Sequence, residues 1–174
     1  PIANPHANYR AHEAEIRRAI AGVLERGCYV GGEQVKQFEK EFAAYIGVKH
    51  AIGVNSGTDA LIIAMKTLGI GRGDHVATIA NTALATVAAI LATGARPIVL
   101  DADRYESAMA LGAKAIVPVH LYGEDVGPLL TNLPIIEDCA QACCRRHIRG
   151  LFGCFSFYPT KNLGAIGDGG MIVT

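Results

Sequence analysis

The sequence predicts an α/β fold, a mostly parallel sheet with helices on both faces. Three observations predict it. Apolar strand-like runs alternate with helical patterns through the middle of the chain, the signature of parallel sheets covered on both sides. The strand runs are short and nearly continuous in apolar residues, as buried parallel strands are. Glycine, at 20 of 174 residues, punctuates the ends of most of these runs.

The elements follow in order. Residues 1–9 (PIANPHANY) carry two prolines and no period, and are expected to form an extended arm. From about 10 to 26, Ile16, Ile20, Val23 and Leu24 recur at helical spacing, and Gly27 ends the run. CYVGG (28–32) is a glycine-rich link. Val35, Phe38, Phe42 and Ile46 mark one side of a second helix, stopped by Gly47. HAIGV (50–54) is a strand, SGTDALIIAMKTLG (56–69) a helix, HVATI (75–79) a strand and TALATVAAILATG (82–94) an alanine-rich helix. RPIVL (96–100), KAIVPV (114–119), PIIE (134–137), CFSF (154–157) and MIV (171–173) complete the expected strands.

Composition narrows the class. A hydrophobic content of 51% in 174 residues supports one core, able to bury roughly 70% of the unfolded surface. Sixteen basic and sixteen acidic residues cancel, so no basic surplus points to nucleic acid or an anionic membrane. No apolar run reaches the length that spans a bilayer, and no leader-like segment opens the sequence. Cys28, Cys139, Cys143, Cys144 and Cys154 are an odd set, unlike a paired secreted framework. The C-x3-C-C-x9-C spacing is not the C-x2-C form of structural zinc. Reduced, packed thiols in a cytoplasmic protein are expected. A metal cluster from Cys139, Cys143, Cys144, Cys154 and His147 is the alternative.

Three segments carry candidate chemistry. In NSGTDAL (55–61) a strand turns into a helix start, where unpaired N–H groups and the helix dipole favour an anion. Gly57 would let a phosphate approach, with Ser56 and Thr58 adding hydroxyls. Ordinary capping by Ser56 and Asp59 is the competing explanation. In PIIEDCAQA (134–142), Glu137 and Asp138 stand where a strand ends, the place where open α/β sheets collect ligands. Asp138 is suited to a protonated ring nitrogen, as pyridoxal phosphate chemistry requires. Gln141 can offer an amide to a ring substituent. Capping again competes. In FSFYPTKNLGAIGDGG (155–170), Lys161 lies in a glycine-rich turn after a strand. Such a lysine can form a Schiff base and later move a proton, or be plain surface charge. Ser156 is within reach of the same phosphate.

At these residues the sequence resembles the DegT/DnrJ/EryC1/StrS family of sugar aminotransferases, within the fold-type I pyridoxal-phosphate enzymes. The matching pieces are FEKEFAAYIGVKHAIGVNSGTDAL (38–61), LGIGRGDHVATIANT (68–82), GARPIVLD (94–101), KAIVPVHLYG (114–123), IIEDCAQA (135–142) and CFSFYPTKNLGAIGDGGMIVT (154–174). The resemblance implies a partial large domain over 1–174, with an N-terminal arm and helices through residue 47 and the small C-terminal domain lacking. It implies pyridoxal 5'-phosphate or its amine form (PLP/PMP) as cofactor. Lys161 corresponds to the Schiff-base lysine, Asp138 to the pyridine partner, and Gln141 to the residue near the ring hydroxyl. Gly57, Thr58 and Ser156 correspond to phosphate contacts. It further implies amino transfer from glutamate or glutamine to a nucleotide-linked keto sugar, by a homodimer. A non-catalytic binding or assembly module of the same fold is the alternative. Relatives often place an aromatic at the position of Ala83. The segments 101–115, 123–136 and 143–153 are short for the family, so sheet faces are expected to lose helical cover.

Overall fold

The computed structural model describes residues 3–143 and 148–174. The expected extended arm is a helix instead, α1 (Pro5–Ala11). The Asn4 side chain accepts from the Ala7 N–H at 3.0 Å, and Pro5 occupies the first helical position. An asparagine cap followed by proline starts a helix, because proline's missing N–H has no intrahelical partner there. α2 (Glu13–Arg26) and α3 (Glu33–Ile46) follow, ending at Gly27 and Gly47 with φ of 68° and 83°. α3 buries Phe42, Ala43 and Ile46, whereas α2 buries nothing.

The alternating region comprises β1 (Ala51–Val54), α4 (Gly57–Thr67), β2 (His75–Ile79), α5 (Leu84–Ala92) and β3 (Arg96–Leu100). β4 (Ala115–Ile116), β5 (Ile136–Asp138), β6 (Phe152–Ser156) and β7 (Gly170–Val173) complete the strands. Two ladders form, β3-β2-β4 and β1-β7-β6-β5. β2 runs parallel to β3 and β4, and β5 runs parallel to β6. β7 is antiparallel to both its neighbours. Parallel bridges Ile116↔Ile135 and Val119↔Asp138 join the ladders into one surface. The bonds Ile116 N–H to Pro134 O (2.9 Å) and Asp138 N–H to Pro118 O (2.8 Å) hold that seam. The expected strand at 114–119 shortens to two ladder residues. The Val117 N–H still reaches Ala77 O, but the next N–H on that side, of Val119, goes to the Tyr105 hydroxyl instead of β2. Pro118 faces β5, where it gives only its carbonyl.

Strand alternation sorts the core. On one face Val76, Ala115, Val117, Ile136, Cys154 and Ile172 pack under α4 and α5. On the other, Phe155, Met171 and Val173 pack under α3. There Phe42 meets Phe155 and Phe157 edge-on, with centroids 5.0 and 5.4 Å apart. Edge-to-face pairs of this kind add about 0.5–1.5 kcal/mol beyond burial.

The short connections do not leave the sheet bare. Residues 101–114 hold only the 3₁₀ turn Tyr105–Ala108, and 117–135 only the turn Leu121–Gly123. Tyr105, Ala108, Leu129 and Leu133 nevertheless close over Ala77, Ile79 and Ile116. Ala77 and Ile116 are fully buried. Loop side chains therefore replace helical cover on this face. Among the described residues no helix is long and apolar enough to cross a membrane.

Candidate active site

The site begins at the junction of β1 and α4. Ser56 caps the helix: its Oγ accepts from the Asp59 N–H at 3.0 Å and donates to Asp59 Oδ2 at 3.1 Å. The Ala60 N–H reaches Ser56 O. The N–H groups of Gly57 and Thr58 stay without intrahelical acceptors, as first-turn donors do. The first turn is clamped to the sheet. A β-carbon on Gly170 would collide with the Ser56 carbonyl and stand 2.7 Å from the Gly57 nitrogen. Glycine is therefore demanded by close backbone packing, beside any need to admit an anion.

Asp138, the last residue of β5, is held from several sides. Its N–H reaches Pro118 O and its carbonyl accepts from the His120 N–H. Oδ2 accepts from Thr86 Oγ1 at 2.7 Å, and Oδ1 accepts from the Ala140 N–H at 3.1 Å. Burial pushes the carboxyl above its ordinary value. The Thr86 and Ala140 bonds and the charge of Lys161 oppose that push without overcoming it.

Glu137 points to the opposite face, where Oε2 meets His120 Nε2 at 2.7 Å. His120 Nδ1 accepts from the Val126 N–H, so Nε2 carries the proton and donates. Glu137 Oε1 accepts from the N–H groups of Arg149 and Gly150. Burial acts to raise the Glu137 carboxyl, but the bonds from His120, Gly150 and Arg149 together hold it below the usual range. Cys139 lies near this pair, with ligand-type atoms of all three within 4.8 Å. Those of His120 and Glu137 are occupied by the bonds just given. The cysteine cluster weighed above is divided by the sheet: Cys154 packs with α4 and α5, Cys139 and Cys143 with α3. Cys144 and His147 lie outside the described residues.

Lys161 sits in the loop between β6 and β7. Phe157 N–H to Gly169 O and Ala165 N–H to Phe157 O, at 2.8 and 2.7 Å, pinch the loop base. The Lys161 N–H bonds Tyr158 O at 2.8 Å. Its Nζ has no hydrogen bond or ion pair among the described residues. Ser156 Oγ accepts from the Tyr158 N–H at 3.3 Å, keeping its own O–H available.

A cleft of about 270 Å³ unites Ser56, Gly57, Thr58, Asp138, Ser156 and Lys161, with Ala83, Ala85 and Tyr158 in its walls. Gln141 stands apart. It lines an adjoining cavity that shares Lys161, and its Oε1 accepts from the Tyr122 N–H at 2.8 Å. Tyr122 adopts a left-handed backbone, φ 57°, to present that N–H. The Gln141 amide NH₂ remains the group it can offer. The structure adds partners that motif reasoning passed over: Thr86, Thr82 (2.7 Å from Thr86) and His120. Thr82 and Thr86 are spaced one helical turn apart, a signal present in the sequence but common in any helix.

Comparison with known proteins places the chain in a family. A dTDP-3-amino-3,4,6-trideoxy-alpha-D-glucose transaminase of Micromonospora megalomicea subsp. nigra is 42% identical over 188 aligned positions, covering 95% of this chain and 50% of the relative. Those positions outnumber the residues of this chain, so the relative carries extra residues inside the matched region. The crystal structure of DesV of S. venezuelae with a ketimine intermediate superposes with a TM-score of 0.89 at 42% identity, over 100% of this chain and 53% of DesV. That of NtdA of Bacillus subtilis with bound PMP gives 0.85 at 32%, over 94% and 42%. The chain thus spans about half the length of the relatives it matches. The DegT/DnrJ/EryC1/StrS aminotransferase family model matches residues 10–174, and the chain belongs to that family.

Proposed function

We propose that this chain forms the cofactor-binding part of a PLP-dependent aminotransferase that moves an amino group from glutamate or glutamine to a nucleotide-linked keto sugar. The observation that carries the proposal is the meeting of Lys161, Asp138 and the α4 N-terminus in one cleft. The residues fit the group. An unpaired amine, a buried carboxylate and free first-turn N–H groups match an aldehyde, a basic ring nitrogen and a phosphate. When bound, the cofactor supplies an electron sink for the substrate carbon that loses its proton.

The chain's own residues do the rest. Lys161 would hold the cofactor covalently through Nζ, and the same amine, when free, would be placed to carry a proton. Asp138 would accept the ring N–H, whose charge would offset its burial. Gln141 would offer its NH₂ to the ring hydroxyl. Gly57 and Thr58 would give N–H donors to the phosphate and Ser156 its hydroxyl. Ser56 would join them with its O–H turned from Asp59. The similarity to a dTDP-sugar transaminase and to PMP-bound NtdA supports the substrate and cofactor classes.

The working protein is proposed to be a cytoplasmic homodimer serving nucleotide-sugar and polysaccharide biosynthesis. Exposed apolar side chains, Leu84 at 81% between the cleft-lining Ala83 and Ala85 and Ile166 at 74% in the loop that carries Lys161, support covering by further protein. The test supplies PLP, glutamate and a dTDP- or UDP-linked keto sugar, and follows amino sugar by mass spectrometry. Product that disappears in Lys161→Ala is expected. Bound cofactor with no product from any keto sugar favours the non-catalytic module.

A further inference from the structure

Thr86 is fully buried on α5, a helix that otherwise turns alanine and isoleucine toward the sheet. A hydroxyl in such a place needs a partner, and it has two. Its oxygen is 2.7 Å from Asp138 Oδ2 and 2.7 Å from Thr82 Oγ1. The Thr86 hydroxyl donates to Asp138, as donor counting requires whenever the carboxylate is ionised and only accepts. Thr82 must then be the donor to Thr86. The result is a one-way chain of hydroxyls, from half-buried Thr82 just before α5 to the acidic end of β5, and its Thr86–Asp138 bond alone spans 52 residues of sequence.

The rest of the Asp138 carboxylate is also constrained. Oδ1 takes the Ala140 N–H. Each oxygen thus has one fixed donor and capacity for a second. The carboxylate cannot rotate about its Cβ–Cγ bond without breaking both contacts. Its side chain lines the cleft shared with Lys161.

We propose that Thr86 is a positioning residue, and that the chain Thr82 to Thr86 to Asp138 holds the Asp138 carboxylate as a fixed acceptor for the N–H of a protonated pyridine. The inference rests on the cofactor reading above and deepens it. A carboxylate left in an apolar wall gains by taking a proton itself, and a neutral carboxyl stabilises a ring N–H less. The two hydroxyl bonds act against that loss. Burial already favours the protonated acid at this position, and the Thr86 bond is the largest opposing contribution. Other groups whose charge bears on Asp138 or is affected by it are Lys161 from the β6–β7 loop, His120 beyond β4, Cys154 on β6 and Tyr105 from the 3₁₀ turn. None of them donates a side-chain hydrogen bond to the carboxylate among the described residues.

The experiment compares wild type, Thr86→Val, Thr86→Ser and Thr82→Val in the full chain. The Asp138 carboxyl is titrated by ¹³C NMR without cofactor. The same proteins then receive PLP labelled with ¹⁵N in the ring, to read ring protonation and affinity. Thr86→Val is expected to move the Asp138 midpoint upward by about one pH unit and weaken PLP about tenfold, the size of one bond to a charged group. Thr86→Ser is expected to restore both readings, which a purely packing role would not predict. Thr82→Val, at a half-buried position, moves the midpoint the same way by less and serves if Thr86→Val does not fold. Unchanged Asp138 titration and ring protonation in the valine variants overturns the proposal. If wild type forms no Lys161 adduct while Asp138 still responds to Thr86, the cofactor reading fails and the hydroxyl chain stands as a feature of the fold alone.

Discussion

Gly57 and Ser156 lie so close that a β-carbon on Gly57 would stand 2.8 Å from the β-carbon of Ser156. The α4 N-terminus and the end of β6 therefore form one rigid corner, and that corner carries the donors proposed for the phosphate. Gly57→Ala should lift the first turn off the sheet. Overpacking of this kind costs about 1–3 kcal/mol. Urea denaturation should show that loss, and PLP titration a weaker affinity. Adding Ser156→Gly to Gly57→Ala should recover part of the stability without restoring affinity.

Glu137 should stabilise the fold in a pH-dependent way. Its carboxyl is held below its ordinary value of 4.5, so its contribution is present above that pH and is lost as pH falls through the folded value. Glu137→Gln should cost about 1.5–3 kcal/mol at pH 7, the scale of a bond to a charged group. The gap between the two proteins should close on acidification, measured by denaturation across pH 3–7.

Asp138 has the opposite sign. Its raised carboxyl favours the folded state most below the unfolded value of 3.8, and that advantage is lost as pH rises through the folded value. Asp138→Asn should therefore be as stable as wild type or more so at pH 8, while binding PLP worse. Stability lost to function in this way is common at sites. Denaturation at pH 8 beside a PLP titration checks both halves.

Tyr105 tests whether the short connection covers the sheet. It is 3% exposed, its OH accepts from the Val119 N–H at 3.3 Å, and burial pushes its phenol up to about 12. Tyr105→Phe should cost about 1 kcal/mol through the orphaned N–H. Tyr105→Ala should cost about 3–5 kcal/mol by leaving a cavity. Ultraviolet titration should show Tyr105 resisting ionisation in the native chain.

Ala83 lines the cleft where relatives often carry an aromatic. Ala83→Phe should add a ring face to bound PLP. A gain of about 0.5–1.5 kcal/mol is expected, a few-fold tighter affinity by equilibrium titration.

Legibility followed the range of the interaction. α3, α4 and α5 were plain in the sequence because helical period and glycine stops are local. Asp138 at a strand end and Lys161 in its loop were plain for the same reason. Two prolines in residues 1–9 suggest extension, yet Asn4-Pro5 is a helix start and α1 forms there. The run at 114–119 looks uniformly strand-like, and nothing local marks that the Val119 N–H turns to the Tyr105 hydroxyl and ends the β2 ladder. The cover supplied by Tyr105 and Leu129 was invisible, since no period marks a loop that packs. Thr86 was invisible as a site residue because its partner lies 52 residues away. Gln141 was expected beside the ring, and its tie to the strained Tyr122 backbone depends on a turn that sequence does not announce.

Lys161 is proposed as the cofactor-bearing lysine, and borohydride reduction of the chain with saturating PLP, followed by peptide mapping, tests it. One phosphopyridoxyl group on Lys161 is expected, lost in Lys161→Ala and weakened in Gly57→Ala. Label on another lysine in preference to Lys161, or none at saturating cofactor, contradicts it.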